Sequence, residues 1–351
     1  MSTVHVIVPG SIDDPARPSG GNVFDRRICA GLAALGWSVH EHAVPGDWPR
    51  PDAAARTALT NQLTGLADGA VVLVDGLIAS AAPDLPVIAR RLLLLVLVHM
   101  PLAQGPDNEP IRAVEGAVLA AAAAVVTTSA WTKNWLLGHY ALPPDRIHVV
   151  EPGADAAELA PGTAPGSELL CVAAVTRAKG QDVLVAALRE VDDLPWSCVC
   201  AGAVDLDPEF VNELRCEIVD AGLDDRVQFV GPRTGGDLDA AYAAADVVVV
   251  ASRAETYGMV VTEALSRGIP VIASAAGGVP EALGCGADGI RPGILVPPGD
   301  PSALAGALRA WLGDPDLRAR LRRAALQRRA GLSSWSTAAS RLSDVLVAAG
   351  A

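Results

Sequence analysis

Short, unbroken apolar runs recur along this chain, and between them lie longer stretches whose apolar residues return every three or four positions. The first run, Val4 to Val8, leads into a Gly/Pro/Ser-rich loop through Gly21, then an amphipathic stretch from Val23 to Leu35 that Gly36 stops. Trp37 to His42, Ala70 to Val74, Leu92 to His99 and Ala124 to Thr128 continue the series. Continuous apolar runs suit strands buried on both faces, and strands alternating with helices predict a parallel sheet with right-handed crossovers. After Ile147 to Val150 the pattern breaks at Glu151-Pro152-Gly153-Ala154-Asp155 and again at residues 160–166. That Pro/Gly cluster predicts a domain boundary, with a first domain over 1–160 and a second over 161–332. The second domain repeats the alternation through Leu169 to Val175, Ser197 to Ala201, Val227 to Val230, Asp246 to Ala251 and Pro270 to Ser274. A last helical stretch, from Ser333 to Ala349 within 333–351, carries Trp335 near its start.

Composition narrows the reading. A chain of 351 residues is long for one doubly wound domain and suits two. Apolar residues make up 51% and charged residues 19%, which supplies material for cores and gives no disorder signal. The longest aliphatic run, Leu92 to Val98, is too short to cross a bilayer, and the first residues lack a basic stretch followed by an apolar one, so cytoplasmic residence is expected. The six cysteines lack metal-ligand spacing; Cys198 and Cys200 alternate on a strand and read as core thiols. The net charge of −13 divides as −6 over residues 1–160 and −7 over 161–351, so neither half is a platform for nucleic acid or anionic lipid.

Chemistry concentrates between Ser252 and Glu281. Glu255 follows the Asp246 to Val250 strand, and Thr256-Tyr257-Gly258-Met259 is expected to open a helix running to Arg267. The first N–H groups of a helix lack partners and carry the positive end of its dipole, so they suit a phosphate, and Gly258 allows close approach. Were the whole span helical, Glu263 would sit two turns beyond Glu255 and about 80° round the axis, so the two carboxylates would touch different parts of one extended ligand. Gly268-Ile269-Pro270 stops the helix, and Gly277-Gly278-Val279-Pro280-Glu281 turns beyond the next strand. Both loops reach the carboxyl edge of a parallel sheet, where open α/β sheets bind ligands. Thr176-Arg177-Ala178-Lys179-Gly180, after the first strand of the second domain, suits a cationic clamp on a diphosphate; Lys179 is one of two lysines in the chain. Ser19-Gly20-Gly21-Asn22 reaches the corresponding edge of the first domain without a full G-x-G-x-x-G, which weakens a nicotinamide reading.

The block from 252 to 281 resembles the retaining glycosyltransferases of family 4, which place a Glu-x7-Glu element before Gly-Ile-Pro-Val-Ile and Gly-Gly-Val-Pro-Glu segments. The resemblance implies the α/β fold called GT-B: two Rossmann-like doubly wound domains facing across a cleft, with the 333–351 helix crossing back to the first. It implies that Glu255 binds donor-sugar hydroxyls, that backbone amides near Tyr257, Gly258 and Met259 hold the diphosphate or sugar, and that Glu263 grips the ribose. It gives Lys179 a phosphate, and gives Gly20, Gly21 and Asn22 contacts to donor phosphate or acceptor. It matches His99 to a histidine near the reacting sugar and sets Arg233 beside the nucleobase. The family usually has an arginine where this chain has Ala174, and Arg177 is the candidate to replace it.

The expected activity is therefore metal-independent transfer of a hexosyl group from a nucleoside diphosphate sugar, UDP-sugar before GDP-mannose, to a small-molecule or glycan hydroxyl. The donor is a co-substrate; no cofactor, metal, nucleic acid or transmembrane segment is expected, and a homo-oligomer is compatible. Asp205-Leu206-Asp207 has the D-x-D form of a metal site but falls in a polar segment before Pro208, where a surface loop is expected. A sugar-nucleotide epimerase, or a nucleotide-sugar binder that has lost catalysis, is the alternative.

Overall fold

A computed structural model describes residues 2–104 and 108–351. The chain divides into two compact units, one of Met1–Asp14, Ser19–Gly153 and Ser333–Ala351, the other of Pro15–Pro18 and Ala154–Leu332. The break falls at 153/154 and not at the expected 160/161, because residues 154–160 are tied to the second unit. There Ala160 N donates to Arg267 O at 3.0 Å, and Arg329 Nη2 donates to Ala157 O at 2.6 Å.

The first unit holds β1 (Thr3–Pro9), β2 (Ser38–Val44), β3 (Val71–Asp75), β4 (Leu93–Val98), β5 (Ala124–Thr127) and β6 (Ile147–Val149), all parallel, in the order β2-β1-β3-β4-β5-β6. Its helices are α1 (Gly20–Ala34), α2 (Ala53–Thr64), α3 (Gly76–Ala79), α4 (Leu85–Ile88), α5 (Glu109–Ala121) and α6 (Ala130–His139). On β1 the alternation sends Val4, Val6 and Val8 to one core with Phe24, Ile28 and Leu32 of α1, and Ile7 to another with Leu59 and Leu63 of α2. Each such buried side chain contributes about 1.5–3 kcal/mol. Helix α1 starts three residues before the expected Val23, because Ser19 Oγ accepts from Asn22 N at 3.1 Å and caps it. Gly20, Gly21 and Asn22 are thus the first turn of a helix and not part of a loop.

The second unit holds β7 (Glu168–Val172), β8 (Ser197–Ala201), β9 (Val227–Gly231), β10 (Val247–Val250), β11 (Val271–Ser274) and β12 (Gly293–Val296), again all parallel, in the order β12-β11-β10-β7-β8-β9. Helices α7 (Gln181–Arg189), α8 (Pro208–Asp220), α9 (Gly235–Ala244), α10 (Met259–Ser266), α11 (Val279–Leu283), α12 (Pro301–Gly313) and α13 (Pro315–Arg329) flank it. The four valines of β10 are all buried, as the unbroken apolar run required. The last helix, α14 (Trp335–Ala349), packs on α1 of the first unit, where Ala338, Ala339 and Leu342 join the α1 core, and a Cβ on Gly31 would come within 2.5 Å of Ala339 Cβ. Among the described residues no helix is long and apolar enough to cross a membrane.

Each strand order reverses once: between β1 and β3 in the first sheet, between β7 and β10 in the second. Where the order reverses, successive crossovers go to opposite faces and the loops at the carboxyl ends of the two strands part, leaving a crevice for a ligand.

Candidate functional site

At the reversal in the second sheet, the loops after β7 and β10 carry Lys179 and Glu255, whose Nζ and Oε2 atoms lie 2.6 Å apart. Lys179 ends a 3-10 turn, Arg177–Lys179, and Gly180 follows at φ 69°, the left-handed region that glycine enters without strain. A Cβ at Gly180 would come 2.2 Å from Ala251 O, so the two loops touch through backbone. Arg253 locks the same contact: its N donates to Ala178 O at 2.8 Å, Nη1 to Arg177 O at 2.9 Å, and the guanidinium forks onto Asp182 at 2.7 and 2.5 Å. That arginine reads as an ordinary loop residue in the sequence, and only its partners reveal its role.

Helix α10 begins at Met259, after Gly258 at φ 93°, and not at Thr256. Glu255 therefore lies on the loop, three residues ahead of the cap, and the expected angle between Glu255 and Glu263 about one helix axis does not apply. The loop brings Glu255 to Lys179 instead. Its backbone is held too, since Gly278 N donates to Glu255 O at 3.1 Å. A Cβ on Gly278 would lie 2.2 Å from Thr256 O, which is why the Gly277-Gly278 turn has no side chain there. Tyr257 is buried in the core beside Val261 and Val279, so the 256–259 turn offers a ligand its backbone and not that ring. Glu263, one turn into α10, accepts from Tyr242 Oη at 2.7 Å; burial raises its pKa above the usual carboxylate range.

Other candidates are held elsewhere. The Arg177 guanidinium turns to α8, reaching Glu213 Oε2 at 2.8 Å and Asp207 Oδ2 at 3.8 Å and stacking 4.9 Å from the Phe210 ring centroid. Arg233, just beyond β9, lies 3.7 Å from Asp237 on α9. Asp207 caps α8 by accepting from Phe210 N at 3.1 Å, and Asp205 pairs with Arg17 at 3.0 Å, so each D-x-D carboxylate has a partner of its own.

At the reversal in the first sheet, His99, one residue beyond β4, places Nε2 2.8 Å from Asp25 Oδ1 on α1. Phe24 meets the imidazole edge-on at 5.2 Å, and a Cβ on Gly21 would lie 3.2 Å from His99 Cδ2. Asp75, at the end of β3, accepts from Leu77 N at 2.6 Å and caps α3. One ligand atom from each of Asp25, Asp75 and His99 falls within 4.8 Å of the others. Burial alone would lower the His99 pKa; the Asp25 carboxylate outweighs it and pushes the ring up to about 8. Burial, reinforced by Asp25, pushes Asp75 up to about 7. Neither aspartate stands out in the sequence, although an acidic residue three positions before Ile28, on the same helical face as Ile28, Cys29 and Leu32 of α1, is a signal that a buried carboxylate needs a partner.

Comparison with known proteins finds a family match for each of the two units. A family model described as "Glycosyl transferases group 1" matches residues 164–328, and one described as "Glycosyltransferase Family 4" matches residues 18–158. A protein of Catenulispora acidiphila named D-inositol 3-phosphate glycosyltransferase 1 is 36% identical over 249 residues, 65% of this chain and 58% of its own length. A D-inositol 3-phosphate glycosyltransferase of Corynebacterium aurimucosum is 33% identical over 285 residues, 75% of this chain and 66% of its own. In both, the match spans less than two thirds of the relative. Among solved structures, Anabaena HepE in complex with UDP and glucose superposes with a TM-score of 0.79 at 19% identity, covering 99% of each chain. Sucrose-phosphate synthase of Thermosynechococcus elongatus does so with 0.78 at 22%, covering 99% of each chain. At such identities the likeness is one of fold.

Proposed function

The chain belongs to the group 1 and family 4 glycosyltransferases, and from that premise we propose that it moves a hexosyl group, with retention at the anomeric carbon, from a nucleoside diphosphate sugar to a hydroxyl acceptor. The observation that carries this reading is the Lys179–Glu255 pair at the second strand-order reversal, four residues before the α10 N-terminus. Lys179 and the N-terminal amides of α10 would take the negative charge that grows on the diphosphate as the sugar departs. Glu255 would bind sugar hydroxyls and Glu263, steadied by Tyr242, the ribose. The bond from the anomeric carbon to the diphosphate breaks, the bond to the acceptor oxygen forms on the same face, and the acceptor proton passes to the departing phosphate. Such a step calls on no carboxylate nucleophile.

A uridine nucleotide is favoured, since HepE of the same fold holds UDP and glucose, and an inositol phosphate is the first acceptor to try because the relatives carry that acceptor in their names. The test is incubation of the protein with UDP-glucose, UDP-N-acetylglucosamine or GDP-mannose, with D-inositol 3-phosphate or a panel of sugars as acceptor. Formation of an α-linked product, read from its anomeric coupling constant, supports the reading. Conversion of the donor to an epimer without acceptor, or a product of inverted configuration, overturns it.

A further inference from the structure

The group at the first reversal is more than one histidine beside a ligand. Asp25 is 2% exposed and uses only Oδ1 on His99; its Oδ2 is buried without a hydrogen-bond partner among the described residues. Asp75 is equally buried, and it uses Oδ1 to cap α3. Two adjacent buried carboxylates do not both stay ionised at neutral pH, and a proton on one satisfies an orphaned oxygen on the other. Protonated Asp75 donating to Asp25 Oδ2 would account for the orphan. The ring is oriented as closely as it is charged. Nε2 is taken by Asp25, the Cδ2 edge abuts Gly21, and the Phe24 ring stands 5.2 Å away at 75° to the imidazole plane. Nδ1, across the ring from Cδ2, has no hydrogen bond among the described residues, and the side chain keeps 14% of its surface exposed.

We propose that Asp25 and Asp75 are positioning residues that hold His99 in a single orientation and charge state, Nε2–H anchored on Asp25, so that Nδ1–H is presented as a fixed cationic donor to an oxygen of the bound substrate. This rests on the transferase reading above for the identity of the substrate, and on the geometry alone for the state of the ring. The family resemblance sets His99 near the reacting sugar, and the fold sets two buried carboxylates against it. A preset donor costs no reorganisation when charge develops on the substrate oxygen. Among the described residues, the charged groups facing the ring are Asp25 from α1 and Asp75 from β3.

The test is a pH titration of the histidine ring resonances in the full chain labelled at histidine, with the His99 signal identified by its loss in His99→Gln. In the wild type His99 is expected to titrate near 8, with the nitrogen shifts of a doubly protonated ring up to that pH. In Asp25→Asn it is expected to fall, because burial then acts against Asp75 alone, the weaker of the two carboxylate influences. Asp75→Asn, whose amide can still donate to Asp25 and still accept from Leu77 N, is expected to leave His99 titrating well above 6.5 and to remove the group that titrates near 7. The alkaline limb of kcat/KM is expected to move to lower pH in Asp25→Asn in step with the ring. A wild-type His99 that titrates at or below 6.5 overturns the proposal even if Asp25→Asn does not fold. So does an Asp75→Asn shift as large as that of Asp25→Asn, or a stoichiometric divalent cation that binds the three groups and abolishes the titration. Because the ring titration needs no substrate, an expected titration in a protein without transfer activity would sink the functional reading and leave the pair standing.

Discussion

Replacing Lys179 by alanine and Glu255 by glutamine should move nucleoside diphosphate affinity in opposite directions. In the free protein the lysine is already engaged, 2.6 Å from Glu255, with the two side chains 32% and 17% exposed. Two unit charges about 4 Å apart attract by about 4 kcal/mol at an effective dielectric constant of 20. A lysine with a third of its surface in water keeps only about 1 kcal/mol of that as net stabilisation, the upper end for accessible pairs. A diphosphate entering the site competes with Glu255 for Lys179 and is repelled by the carboxylate. Lys179→Ala removes a charge-assisted hydrogen bond to phosphate worth about 1.5–3 kcal/mol, and so weakens UDP by about 10- to 150-fold. Glu255→Gln releases the lysine and removes the repulsion, about 1 kcal/mol, so UDP binds about fivefold tighter while sugar transfer collapses. Calorimetric titration of both variants with UDP and with UDP-glucose measures this directly. Weaker UDP binding by Glu255→Gln, or unchanged binding by Lys179→Ala, refutes the reasoning.

Other parts of the molecule make separate predictions. Gly278 has φ −83°, so alanine meets no backbone strain there, but its Cβ would overlap Thr256 O; Gly278→Ala should cost about 1–3 kcal/mol in urea unfolding and weaken the donor by displacing the 256–258 turn, and an unaltered affinity would show that the turn does not touch the ligand. The His5 and His42 rings, stacked 5.2 Å apart, have pKa values lowered by burial first and by neighbouring histidines second. The unfolded chain then binds more protons than the folded one near and below 6.5, so their contribution is present above that pH and lost as pH falls; urea midpoints at pH 5 and 7.5 should differ less in His42→Gln than in the wild type, and a larger gap would contradict the sign. Cys216 and Cys285 are exposed, while Cys29, Cys171, Cys198 and Cys200 are buried, the thiol of Cys29 pushed up to about 12. A thiol reagent should therefore label two cysteines in the native protein and the others only after unfolding, with mass spectrometry counting the adducts.

Whatever depends on neighbours within a few positions is legible in the chain. The valine run of β10 predicted a buried strand, and Gly268-Ile269-Pro270 predicted the end of α10, because burial on both faces and loss of helical hydrogen bonding are written into adjacent residues. The 252–281 block and Lys179 pointed to a phosphate-and-sugar site for the same reason: a loop between strand and helix carries its chemistry in one short segment. Errors arose even at this range where a cap decided the matter. Ser19 started α1 three residues early, and Gly258 at φ 93° delayed α10 to Met259, since a left-handed residue cannot lie within a helix.

The tertiary structure alone decided which distant residues meet. Asp25, Asp75 and His99 are separated by tens of positions, and they converge because β3 pairs with both β1 and β4 while α1 crosses the sheet above them. Lys179 reaches Glu255 across 76 positions because β7 and β10 are hydrogen-bonded neighbours where the strand order reverses. Arg177, two residues before Lys179, shares its local pattern and ends on α8 with Glu213. Strand order is a property of the whole sheet, set by which apolar faces can be buried together, so one-dimensional periodicity names the strands and cannot order them. The sequence by itself determined the class of fold and the segment for which donor binding is proposed; the order of the two sheets decided which charges stand opposite one another.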